Sequence, residues 1–246
     1  MCRLDSELYL ERPNKDKEMS HLLKAEHLNY MIPFGETILK DISFQISEGQ
    51  FYGILGKNGA GKTTLIDLIL GTRPASRGNL KVLGEDPTAQ IRKNREKMSF
   101  LSQDITLKGN ITILQFLKFH KQLYPRYSDT EEKNICDFFN VDINQKIGAL
   151  STGQQKKVQV IAGLSTLPNL LIIDEITAVL DPETRAQFFE LLNLFRNKYG
   201  TSIILATNIA EDLINRADKI LFLVDGNGTE HNPQDINQLF HLKLAA

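Results

Sequence analysis

Cysteine is scarce in this chain of 246 residues: Cys2 and Cys136 are the only two. With one of them in a polar tail, no disulfide framework is expected and a reducing compartment fits. An excess of either charge is missing too. Lys+Arg 29 against Asp+Glu 30 leave a net charge of -1, so no general attraction to nucleic acid or anionic lipid is expected. No apolar run approaches the ~18 residues that span a bilayer. The first residues, with Asp5, Glu7, Glu11 and Arg12, lack the apolar centre of a signal peptide. A cytoplasmic location is the default expectation. Internal repeats are absent. What is left, 41% hydrophobic and 24% charged, suits one large α/β domain or two small ones.

The most informative stretch is Gly56-Lys57-Asn58-Gly59-Ala60-Gly61-Lys62-Thr63-Thr64. It satisfies every fixed position of the phosphate-binding pattern G-x-x-x-x-G-K-[ST]. Phe51 to Leu55 before it reads as a buried strand, and Thr64 to Leu70 after it is apolar at helical spacing, with Gly71 as a stop. Strand, glycine loop and helix are the context the pattern requires. The glycines let backbone N–H groups converge on a phosphate, and the helix N-terminus adds partial positive charge. Lys62 is placed to reach β- and γ-phosphates, and the Thr63 hydroxyl to reach Mg²⁺.

Residues 1–20 are polar and read as a flexible extension, with Met19 a candidate translation start. His21 to Asn29 and Thr37 to Ile46 alternate apolar and polar residues, which predicts antiparallel strands. Arg73 to Gly78 reads as a loop and Leu80 to Gly84 as a short strand and turn. Ile91 to Lys97 predicts a surface helix whose Arg92, Lys93 and Arg95 form a solvated face or a phosphate-contacting patch. After a strand at Met98 to Leu101, residues 104–150 read as mostly helical. Ile113, Phe116, Leu117 and Leu123 form one apolar face and Ile135, Phe138 and Phe139 another, broken at Tyr124-Pro125-Arg126-Tyr127. Strands at 170–173, 202–206 and 219–224 then alternate with helices at 182–198 and 210–216. That order predicts a mainly parallel sheet covered on both faces. The five histidines fall in no motif, and surface placement is expected for each.

Leu170-Leu171-Ile172-Ile173-Asp174-Glu175 carries two carboxylates out of a buried strand at its C-terminal end, where open α/β sheets bind ligands. Asp174 is a candidate Mg²⁺ ligand, and Glu175 a candidate base for water attacking the γ-phosphate. Leu150-Ser151-Thr152-Gly153-Gln154-Gln155 opens a helix with apolar face Val158, Ile161, Ala162 and Ser165, and Ser151 suits an N-cap.

Taken in order, the phosphate loop, Gln103, Leu150 to Gln154, the Asp174-Glu175 strand and Ala178-Val179-Leu180-Asp181 resemble the ATP-binding cassette (ABC) ATPase family, from about Leu22 to about Glu230. The resemblance implies an α/β P-loop ATPase core with an antiparallel β subdomain and a helical subdomain at about 104–163. It implies ATP and Mg²⁺ as ligands, hydrolysis of ATP, and a head-to-tail dimer with a second copy or a related subunit. Each nucleotide then rests on one phosphate loop (Gly56, Asn58, Gly59, Ala60, Gly61, Lys62, Thr63, Thr64) and is capped by Ser151, Gly153 and Gln154 of the other subunit. Gln103 resembles the glutamine that senses Mg²⁺ and the attacking water. Asp181 resembles an interface aspartate, and Asp181-Pro182 is equally a helix N-cap with proline at the first position. An integral membrane permease is the implied partner, which would hold the chain on the inner face of the cell membrane. Leu117 to Tyr127 resembles exporter-type single-domain subunits, and no added C-terminal regulatory domain is expected. A non-transport ATPase and a weakly hydrolysing regulatory subunit are the alternatives.

Two positions depart from the family pattern. Thr152 stands where glycine is usual, and Asn208 stands where histidine is usual. Asn208 donates a hydrogen bond but carries no proton or charge, so slow turnover resting on Glu175 is expected. The family stacks an aromatic on adenine. Tyr30, Ile32 and Phe34 compete for that register, with Phe34 favoured.

Overall fold

A computed structural model describes residues 21–90 and 94–236. The polar extension with Met19, as well as Arg92, Lys93 and His241, lies outside the described residues. Two sheets form. β1 (Leu23–Met31), β2 (Thr37–Ile46) and β4 (Arg77–Val82) make an antiparallel sheet in the order β2-β1-β4. The second sheet has six strands. β3 (Phe51–Gly56), β5 (Met98–Ser102), β6 (Leu170–Asp174), β7 (Ser202–Thr207), β8 (Lys219–Val224) and β9 (Asn227–His231) run in the order β5-β6-β7-β3-β8-β9. All neighbours are parallel except β8 and β9. β3, β6 and β7 are buried along their whole length, which is why they read as unbroken apolar runs and not as alternation.

The strands divide the interior in two, because successive side chains point to opposite faces. Tyr52, Ile54, Ile172 and Ile204 face α1 (Lys62–Ile69) and the antiparallel sheet. Phe51, Leu55, Leu171, Ile173 and Ile203 face the remaining helices. Those are α2 (Ile113–Lys121), α3 (Asp129–Phe138), α4 (Thr152–Ser165) and α5 (Pro182–Tyr199). Val158, Ile161, Ala162 and Ser165 of α4 are buried as the periodicity predicts, but so are Gln159, Val160, Gly163 and Leu164 between them, so this half of the helix is covered on all sides.

Four expectations change. Residues 210–216 do not form an α-helix: a single 3-10 turn spans Ala210–Asp212, and Asn215 sits at φ 66. Asp212 is drawn into a buried polar cluster there, which sets the chain path ahead of helical propensity. Leu123 leaves the apolar face, since α2 ends at Lys121 and Leu123 is exposed. Arg77 and Gly78, read as loop, begin β4 because Arg77 pairs with Asn29 of β1. His120 is half-buried and not a surface residue: its ring stacks on Tyr124 at 4.7 Å, and burial pushes its pKa down to about 4, so it is neutral at pH 7.

Candidate functional site

The C-terminal ends of β3, β5, β6 and β7 converge on one place. The β3 to α1 loop wraps there because Gly59 and Gly61 hold φ 84 and 104, a region costly for side-chain-bearing residues. A Cβ on Gly61 would also meet Leu39 at 2.8 Å, and one on Gly56 would meet the Leu223 carbonyl at 2.7 Å. No side chain caps the start of α1 and no acid sits in its first turn, so its amides and dipole stay available to an anion. Lys62 is buried, and its Nζ donates to the Gly56 carbonyl at 2.8 Å and the Lys57 carbonyl at 3.1 Å. Its charge is matched by Glu175 Oε1 at 2.9 Å.

Glu175 follows β6 directly. Its backbone is left-handed (φ 53, ψ 15), a conformation an L residue keeps only when its surroundings over-determine it. Its N–H donates to the Ala206 carbonyl, and its Oε2 accepts from Gln103 Nε2 at 3.1 Å. The carboxylate is thus gripped between a cation from α1 and an amide from the end of β5. Asp174 is buried beside it, and its Oδ2 accepts from the Thr63 hydroxyl at 3.0 Å. Burial, with Glu175 adding repulsion, pushes its pKa up to about 6 against the Thr63 hydrogen bond. Asp174 Oδ1 is buried with no hydrogen-bond partner among the described residues. An orphaned carboxylate oxygen beside the Thr63 hydroxyl is a hard-oxygen donor set suited to Mg²⁺, which keeps waters and phosphate oxygens as its other ligands.

Asn208, just past β7, donates through Nδ2 to Asn58 Oδ1 at 3.1 Å and so reaches the phosphate loop. Ser151, Thr152 and Gln154 are exposed and Gly153 is half-exposed at the start of α4. Ser151 accepts from the Gln154 N–H at 3.3 Å while Gln154 Oε1 accepts from the Ser151 N–H at 2.8 Å, a reciprocal cap. Among the described residues, none of these bonds reaches the phosphate loop. Asp181 caps α5 by accepting from the Thr184 N–H at 2.9 Å, which holds its carboxyl below the usual range. Tyr30 is buried, with its hydroxyl accepting from Arg73, so its face is not free to stack on a base; Phe34 is fully exposed at φ 59.

Two residues escaped sequence reasoning. Asp212, buried, accepts from Thr177 Oγ1 at 2.6 Å, Arg185 Nε at 2.8 Å and Thr207 Oγ1 at 3.4 Å, tying the segments after β6 and β7 to α5. Lys156, buried on α4, reaches the backbone after β5. Its signal was a lysine two positions before the apolar face begins, which reads equally as a surface charge.

Asp174 yields a prediction. Its pKa is higher in the folded chain than unfolded, so stability is lost as pH rises through about 6. Without nucleotide, Asp174→Asn is expected to match or exceed the parent in thermal stability at pH 8, by up to about 2 kcal/mol. That advantage should shrink toward pH 5. Melting curves across this range check it; an advantage that grows on acidification would be the wrong sign.

The ABC transporter family model matches residues 39–178, more than half of the chain. Nod factor export ATP-binding protein I of Rhizobium leguminosarum bv. viciae is 32% identical over 197 residues, 78% of this chain and 63% of that protein. Methionine import ATP-binding protein MetN of Coxiella burnetii is 32% identical over 215 residues, 84% of this chain and 61% of that one. The chain therefore spans about three fifths of the length of these relatives. Among solved structures, cbiO1 of Clostridium perfringens, described as part of the ABC transporter complex cbiONQ, superposes with TM-score 0.77 at 27% identity, covering 90% of this chain and 92% of that one. The ATP-binding cassette MJ0796, a dimer in a post-hydrolysis state with ADP and Pi, shares the fold at TM-score 0.75 and 22% identity, over 86% of this chain and 98% of its own. With the phosphate loop, the Asp174-Glu175 strand end and the capped α4 arranged on this fold, the chain belongs to the ABC transporter family, as an ATP-binding domain.

Proposed function

We propose that the chain binds ATP with Mg²⁺ and hydrolyses it to drive a membrane permease. The observation that carries this is Glu175, held by Lys62 on one side and Gln103 on the other at the mouth of the phosphate loop. Lys62 and the loop amides, with Gly56, Asn58, Gly59, Ala60, Gly61, Thr63 and Thr64, receive the phosphates. Phe34 is the exposed aromatic offered to adenine. Thr63 and Asp174, with Gln103 alongside, would hold Mg²⁺, which supplies charge neutralisation on the phosphate oxygens. Glu175 takes the proton of the attacking water, Gln103 orients that carboxylate, and Asn208 offers a neutral donor beside Asn58.

The α4 terminus is exposed and its capping bonds stay within the terminus, so it suits a nucleotide on a second copy of the chain, with Asp181 at the same interface. ATP then closes two copies, and hydrolysis lets them part. A cleft of about 450 Å³ beside the segment after Gln103, lined by Ile105, Leu107, Phe116, His120 and Tyr124, offers a permease contact. Among the described residues no helix is long and apolar enough to cross a membrane; we assign the pathway to a permease that would keep the chain at the inner membrane face. Relatives named for export and for import match at the same identity, 32%. This likeness does not choose between export and import, and we assign the direction of transport to the permease.

With ATP and Mg²⁺, the expected result is a mass near twice the monomer in light scattering and measurable phosphate release. Absence of both results, for the chain alone and together with its permease, would overturn the proposal. A second reading, a weakly hydrolysing regulatory subunit, is favoured by Asn208. Asn208→His is expected to raise turnover several-fold, since an imidazole adds charge at the terminal phosphate. Unchanged phosphate release would show that this position does not limit the rate.

A further inference from the structure

Lys156 is 2% exposed, and an ammonium removed from water to that extent is costly unless all its donors are met. They are met by backbone alone. Nζ donates to the carbonyls of Ser102 at 3.1 Å, Gln103 at 2.7 Å and Ile105 at 2.7 Å. These carbonyls belong to the last residue of β5 and the irregular stretch after it, where ladder partners run out and other donors must satisfy them. Neighbouring side chains of α4 grip the same stretch. Gln159 Nε2 donates to the Ile105 carbonyl at 2.6 Å, and Gln155 Oε1 accepts from the Leu107 N–H at 3.1 Å. Burial pushes the Lys156 pKa down, and Asp104 is the nearby acid that opposes this and favours the charge. The gripped stretch has two further attachments, both at the site: the Gln103 N–H donates to the Asp174 carbonyl at 3.1 Å, and the Gln103 side chain donates to Glu175.

We propose that Lys156 is a positioning residue that fastens the Gln103 segment to the first turns of α4, so that movement of the Ser151 end of that helix is transmitted to Glu175. This rests on the role given above to Gln103 and on α4 capping the nucleotide of a second copy. The tether uses main-chain carbonyls, so it is insensitive to which side chains occupy 105–107 and depends on the cation that meets them. Engagement of the second copy at Ser151 and activation of Glu175 are then one mechanical event, not two.

Lys156→Met keeps the stem and removes the charge and the donors. Amide exchange at 103–107 is expected to accelerate about tenfold or more, with the strands of the parallel sheet unchanged. Phosphate release should fall about tenfold with ATP affinity unaltered, because the loss lies in orienting the base and not in holding phosphate. In a Gln103→Ala background the same substitution should cost less than about twofold further, since its route to Glu175 is already gone. A general structural role would instead lower the melting temperature and add its full effect in both backgrounds. Unchanged exchange at 103–107, or an equal fold-loss in both backgrounds, overturns the tether. Normal turnover by Gln103→Ala alone would remove the role of that glutamine, and exchange would then decide the tether by itself. Should Lys156→Met fail to fold, Lys156→Gln, which keeps two N–H donors, is read by the same criteria.

Discussion

Glu175→Gln is expected to lower steady-state phosphate release by about 10²–10⁴-fold, the range that a positioned general base contributes. The amide fills the same space but takes no proton from water. Its carbonyl oxygen can still accept from Gln103 Nε2, now 3.1 Å from Glu175 Oε2, so the local geometry should survive. Affinity for ATP is expected to hold or improve, because a negative charge 2.9 Å from Lys62 Nζ is removed from the neighbourhood of the terminal phosphate. The two effects together predict an ATP-bound dimer that persists. Phosphate release, nucleotide affinity and light scattering on the same sample check all three. Turnover within about fivefold of the parent would mean that the base lies elsewhere.

Lys62→Met is expected to weaken ATP binding about 100-fold, the loss of one or two charge-assisted hydrogen bonds at about 1.5–3 kcal/mol each. Methionine retains the buried stem, so the defect should show in affinity and not in folding. Lys62→Arg should fail as well. The ammonium sits between the Gly56 and Lys57 carbonyls at 2.8 and 3.1 Å, and a planar guanidinium fork does not fit that space. Titration of both variants with ATP and Mg²⁺, with melting curves alongside, is the measurement. Affinity within about fivefold of the parent in Lys62→Met would sink the assignment.

Local chemistry made much of this legible in advance. Gly56 to Thr64 and the Ser151 and Asp181 caps act within a few residues, and Asp174-Glu175 is announced by the apolar strand directly before it, so these signals are short-range. The fully apolar strands announced a two-sided sheet because burial on both faces leaves no alternation. Errors came where a distant partner outweighed local preference. Residues 210–216 have a helical pattern, yet Asp212 is claimed by Thr177, Arg185 and Thr207. Arg77 reads as loop until β1 supplies a pairing edge. His120 looks like a surface histidine until Tyr124 and the cleft enclose it.

The order and spacing of short motifs, read alone, determined the family of this chain, because phosphate binding depends on backbone that each motif shapes for itself. Which of those groups touch was decided by the strand order β5-β6-β7-β3. Thr63 and Asp174 are separated by 111 positions, Asn58 and Asn208 by 150. Only the packing of parallel strands brings their ends together, and only the burial of α4 against the end of β5 turns Lys156 from a surface charge into a link to the site.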